Sequence, residues 1–179
     1  MTIARTIATG LVGASGAVWV VIWIRWSLLP VPAQGELRPG GETFDLLNVL
    51  ASGLLAVGLV VLLVGTSGPW GAAARLLLAI GVLTLSTGHF TFYPLFILGA
   101  LLLLAGSVAF AVAGWRNGWL PAWSLAGVLV GVVSVCVMDS NTIRAWFGVP
   151  VGVSWLGIAG GVAIRFATLE PTDNVPPDP

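Results

Sequence analysis

The chain has no lysine, a single cysteine, a single histidine and one tyrosine, and only 8% of its 179 residues are charged. Each scarcity excludes some chemistry. Without lysine there is no Schiff-base attachment of a carbonyl cofactor and no phosphate-loop lysine. One thiol, Cys136, leaves no intramolecular disulfide, no C-x-x-C pair and no thiolate zinc cage; it reads as a small apolar packing residue. One imidazole cannot give bis-histidine haem ligation. His89 with Met138 could ligate haem in principle, but no other haem signal accompanies the pair, and no cofactor or metal is expected. The basic residues are scattered arginines within a formal net charge of zero. No basic stripe exists to follow a phosphate backbone, so no nucleic-acid partner is expected.

What is present is apolar. Hydrophobic residues make up 58% of the chain and mean hydropathy is +1.03, whereas an ordinary soluble domain carries roughly 25% charged residues. Such a chain cannot cover itself with a wetted surface, which predicts an all-α, polytopic membrane bundle in contact with lipid. About six spans are legible, each near the roughly 20 residues that cross a bilayer core. They run Ile7 to Leu29, Asp45 to Gly65, Trp70 to Gly88, Tyr93 to Gly114, Trp119 to Met138 and Val149 to Ala167. The breaks carry turn chemistry, and Pro69, Pro94, Pro121 and Pro150 fall near span starts, where a missing N–H costs least. Residues 1–168 are expected to form one transmembrane bundle, and 169–179, "LEPTDNVPPDP", a disordered acidic tail rich in proline.

The opening also resembles a secretory signal peptide, with Arg5, an apolar run and then "VPA" at Val31 to Ala33. The run exceeds the usual 7 to 15 or so residues and Arg25 sits inside its last turns, so the segment is expected to stay as an anchor. A cytoplasmic N-terminus puts Arg5, Arg75, Arg116 and Arg165 inside and Arg25, Arg38 and Arg144 outside. That bias favours a cell-membrane protein with both termini cytoplasmic. Trp26, Tyr93 and Trp146 mark one membrane interface, and Trp70, Trp115 and Trp119 the other.

The alternation of spans gathers Arg25, Asp45, His89, Asp139 and Arg144 toward one face. On the second span Asp45, Asn48 and Ser52 follow i, i+3, i+7 spacing and share a helix face, descending about 10 Å into the membrane. Lipid would penalise Asn48 there, so the stripe should turn toward the bundle or trapped water. Either Asp45 caps the helix while Asn48 and Ser52 bond neighbouring helices, or the stripe lines a pocket. On the first span Trp19, Trp23 and Trp26 form one stripe and Arg25 projects roughly 125° from it at about 100° per residue. With the indoles toward lipid, Arg25 is expected to point into the bundle and pair with an acidic partner, Asp45 in preference to Asp139; the alternative is that it snorkels to the headgroups. His89 could accept a proton or simply bond backbone or water at the interface. Ser86 beside it lacks an oxyanion or nucleophile-elbow signature. Arg144 pairs locally with Asp139 or receives an anionic group. Gly127/Gly131, Gly157/Gly161 and Gly10, Gly13 and Gly16 let helices approach closely.

The expected function is that of a non-enzymatic multi-pass protein with a small polar pocket in the outer half of its bundle, either binding a small amphiphile or serving as a transporter subunit. Its candidate ligand-binding residues are Arg25, Asp45, Asn48, Ser52, His89, Asp139 and Arg144. The alternative is an accessory or assembly subunit of a membrane complex with no ligand site of its own, contacting a membrane protein partner or further copies of itself. In span number, length and its longer first external loop, the chain resembles in outline the substrate-binding subunits of energy-coupling-factor vitamin transporters, a resemblance that implies small-molecule binding within the bundle. No ligand motif of that family is matched.

Overall fold

The computed structural model describes residues 3–33, 40–64, 66–90, 93–137 and 142–169. It is all-α: α1 (Ile3–Ser27), α2 (Gly41–Leu62), α3 (Pro69–Phe90), α4 (Tyr93–Arg116), α5 (Trp123–Val137) and α6 (Gly148–Leu169), with a 3₁₀ turn at Ile143–Phe147 before α6. Five helical segments are long and apolar enough to cross a membrane, and α5 is a shorter apolar helix of 15 residues. Helices suit these segments because each satisfies its own backbone where water is absent.

α1 and α2 each begin four residues earlier than expected, at Ile3 and Gly41, whereas α5 begins four residues later, at Trp123 rather than Trp119. Gly118 adopts φ +73, and its N–H donates to the Trp115 carbonyl at 3.0 Å while the Trp119 N–H reaches back to Gly114 at 3.1 Å. This pair of bonds closes α4 as a Schellman cap, which requires a left-handed residue that glycine supplies without strain. Trp119 to Ala122 are thereby used in the turn. Leu120 is buried against Gly114, so this irregular backbone sits against protein rather than lipid.

Adjacent helices run antiparallel. Trp23 meets Phe44 at one end of α1 and α2, and Val12 meets Gly58 toward the other; α3 and α4 cross with Leu85 on Gly99 and Leu78 on Gly106. The ends of α1, α3 and α5 and the starts of α2, α4 and α6 thus share one end of the bundle, called distal here, and the start of α1 and the end of α6 share the proximal end. Each helix packs on its neighbours in the sequence, and α1 packs on α6, closing a ring. The α3–α4 pair is the most intimate contact, whereas α2–α3 and α4–α5 are slighter. In the proximal half Leu59, Leu63, Leu78 and Phe110 are fully buried where α2, α3 and α4 converge.

Glycines set the close crossings. Of the Gly127/Gly131 and Gly157/Gly161 pairs, Gly161 marks a tight approach, since a Cβ there would lie 2.7 Å from the Trp123 ring, whereas a Cβ on Gly131 would meet Ser154 at an ordinary 3.7 Å. On α1, Gly16 carries the tightest approach while Gly10 faces open space.

The tryptophan stripe reverses one expectation. Trp19, Trp23 and Trp26 are only 9%, 3% and 7% exposed, and Arg25, off their face, is exposed. The indoles face the bundle and the guanidinium does not. Lipid tails are as apolar as a protein interior, so hydrophobicity alone does not choose a face; packing does. Phe44 and the glycine backbone of α6 offer flat surfaces to the indoles. Trp26 is accordingly not an interfacial anchor: it stacks on Phe44 with ring centroids 4.1 Å apart.

Candidate functional site

The polar stripe on α2 grows more buried with depth. Asp45 is exposed, Asn48 half-buried and Ser52 buried. Asn48 is joined to α1: the Trp23 Nε1–H donates to Asn48 Oδ1 at 3.1 Å, and Asn48 Nδ2 donates to the Phe44 carbonyl one turn back at 2.9 Å. Trp23 is itself fixed from two sides. Phe44 meets it edge-on with centroids 4.8 Å apart, and the backbone of Gly148, at the start of α6, lies so close to the indole that any Cβ there would overlap the ring. The result is a three-helix clasp, with α1 supplying the indole, α2 its acceptor and an aromatic edge, and α6 a bare backbone.

Two turns deeper along α1, Ser15 is fully buried and its hydroxyl donates to the Ala51 carbonyl on α2 at 2.7 Å. This helix-joining bond was not read from the sequence. The signal lay in the small-residue run Gly13-Ala14-Ser15-Gly16, which brings α2 close enough for a short hydroxyl to reach its backbone. Trp19 stacks on Trp23 at 6.2 Å, yet its own Nε1–H is buried with no partner among the described residues.

The charged candidates stay at the rim. Arg25 and Arg144 are exposed, and among the described residues neither guanidinium forms a hydrogen bond or ion pair. The expected Arg25–Asp45 pair is therefore not formed; Arg25 projects away from the aromatic face, as snorkelling requires. The Arg144 backbone N–H donates to the Thr142 hydroxyl at 3.1 Å, capping the 3₁₀ turn. His89 belongs to the last turn of α3, but its side chain, like all of Asp139, lies outside the described residues. Asn141, Met138 and the tail from 170 lie outside them too. Among the described residues no group of three or more His, Cys, Asp or Glu could hold a metal ion.

At the proximal end Arg75 closes α2: its guanidinium donates to the Leu63 carbonyl at 2.8 Å and to Thr66 at 3.1 Å. Arg5 lies over the Phe166 ring at 5.0 Å, tying the start of α1 to the end of α6. Trp70 and Trp115 are exposed at this end, as interfacial residues should be, whereas Trp119 is half-buried against Phe110 at 5.3 Å.

Apolar spans, inward polar clasps and rim arginines together define a multi-pass helical membrane protein. Compared with known proteins, the chain matches no family model, and no curated protein or solved structure is similar to it.

Proposed function

We propose that this protein is a non-enzymatic accessory or assembly subunit of a membrane complex, whose polar groups within the spans join its own helices. The observation that carries this reading is the Asn48 amide. Its oxygen is used by Trp23 and its nitrogen by Phe44. One lone pair and one N–H of the amide remain, but a ligand that displaced Trp23 from the oxygen would leave a buried indole N–H unpaired, which costs about 1–3 kcal/mol. What the helices turn outward is apolar, including Leu46, Leu83, Leu101, Leu129 and Val133. Such surfaces suit lipid, a membrane protein partner or a second copy. The cell membrane, with both termini cytoplasmic, is the placement the arginine bias supports.

The test is native mass spectrometry of the tagged protein extracted from its host membrane in mild detergent. Co-purification in fixed stoichiometry with another membrane polypeptide, or with further copies, is the expected result. A monomer carrying a stoichiometric small molecule overturns it.

A second reading is favoured by one observation, the buried and unpartnered Nε1–H of Trp19. A ligand oxygen in the distal half would satisfy that donor. Arg25, Asp45, Asn48, Ser52, His89, Asp139 and Arg144 would then border a pocket for an uncharged or singly anionic amphiphile, and the protein would serve binding or transport. Under this reading Asn48→Leu abolishes ligand binding with folding intact; under the first it only weakens helix association.

A further inference from the structure

At the proximal end of the α3–α4 pair, Trp70 from the first turn of α3 and Val112, Trp115 and Arg116 from the last turns of α4 enclose an open groove of about 500 Å³. We propose that this groove is a binding site for the headgroup of an anionic phospholipid, with the lipid phosphate on Arg116 and an acyl chain descending along α4. This is independent of the subunit reading above.

Arg116 is exposed, and its guanidinium has no hydrogen bond or ion pair among the described residues. It therefore differs from the other arginines at this end, since Arg75 is bonded to carbonyls, Arg5 covers Phe166 and Arg165 donates to the Gly118 carbonyl at 3.4 Å. A planar guanidinium presents paired donors that match phosphate oxygens. Trp70 and Trp115 are 43% and 51% exposed, and indoles at the ends of apolar spans sit at headgroup depth. The groove is thus placed where phosphates lie.

Below it the surface changes to hydrocarbon. Leu101, Ala105, Val108 and Val112 recur at helical spacing on α4 and are exposed or half-buried, forming an apolar track that leads away from the guanidinium. A free phosphate would use only the top of this arrangement; a lipid uses both parts. The positive end of the α3 macrodipole, at Trp70, and the negative end of α4, at Arg116, offset each other here, so the preference for a negative headgroup comes from the guanidinium.

The experiment is native mass spectrometry of the delipidated protein titrated with phosphatidylglycerol or phosphatidylcholine, with Arg116→Gln, Arg116→Lys and Arg165→Gln compared in parallel. Wild type should retain phosphatidylglycerol preferentially. Arg116→Gln should lower its affinity roughly tenfold while leaving phosphatidylcholine unchanged, Arg116→Lys should recover part of the loss, and Arg165→Gln, which removes the same charge at the same end, should behave as wild type. Thermal stability checks that Arg116→Gln is folded, and the lysine variant supplies the answer if it is not, because loss of preference there without loss of fold also overturns the site. Equal binding of the two lipids by wild type, equal losses in Arg116→Gln and Arg165→Gln, or displacement of the lipid by millimolar inorganic phosphate would each overturn the proposal.

Discussion

Gly16 and Gly152 face each other across the α1–α6 crossing, each so near the other backbone that a Cβ on Gly16 would lie 2.8 Å from the Gly152 carbonyl oxygen, and one on Gly152 2.6 Å from that of Gly16. The contact is reciprocal and involves backbone on both sides, which has little freedom to yield. Gly16→Ala or Gly152→Ala should therefore destabilise the folded protein by about 1–3 kcal/mol, the usual cost of overpacking. Gly10→Ala, where nothing lies within 4 Å, should be neutral or gain up to about 1 kcal/mol from helix propensity. Thermal unfolding in detergent distinguishes the two. Equal effects at Gly10 and Gly152 would refute the crossing.

The Trp23–Asn48 bond should be measurable as a coupling. Side-chain hydrogen bonds between membrane helices average about 0.6 kcal/mol and reach about 1.7. Asn48→Leu, Trp23→Phe and the double variant, compared by unfolding in detergent, should give a positive coupling within that range. A coupling indistinguishable from zero means the two side chains are not joined.

Arg75 should matter more than its position near a loop suggests. Its bonds go to the carbonyl of Leu63, the C-cap of α2, and to that of Thr66 in the loop beyond it, and charge-assisted bonds of this kind contribute about 1.5–3 kcal/mol. Arg75→Gln should lower the unfolding midpoint clearly, and Arg75→Lys only partly restore it, because an ammonium lacks the planar fork. Full stability in Arg75→Gln would remove the cap from the account.

The antiparallel threading gives a labelling result. In a Cys136→Ala background, Thr43→Cys at the distal end and Ser67→Cys at the proximal end should react with an impermeant maleimide from opposite sides of sealed vesicles. Reaction of both from one side contradicts the alternation. The proposed cytoplasmic placement of the termini requires Ser67→Cys to react from the cytoplasmic side.

Helices and breaks were legible because prolines, Asn117-Gly118 and polar clusters interrupt runs that are otherwise continuously apolar. Facing was not. In water an amphipathic pattern shows which side is buried, but against lipid a tryptophan stripe is equally at home inside or out, so the Trp19–Trp23–Trp26 face was assigned outward when it packs inward. The deciding residues lie elsewhere: Phe44 on α2, and Gly148 and Gly152, four apart on α6, where the missing side chains make room for Trp23 and α1. That glycine spacing was present in the sequence and would have marked the α1 contact. At the candidate site, the Asp45–Asn48–Ser52 stripe was legible from spacing alone, whereas its partner was not, since nothing local to α2 identifies the indole that Asn48 accepts.

The α1–α6 seam joins the first of the described helices to the last. Synthesis delivers helices to the membrane in chain order, so α1 waits with its Gly16 flank and the Trp23 ring uncovered on one side until α6 arrives with Gly148 and Gly152. Lipid fills that flank in the interval and has to leave it as the ring closes.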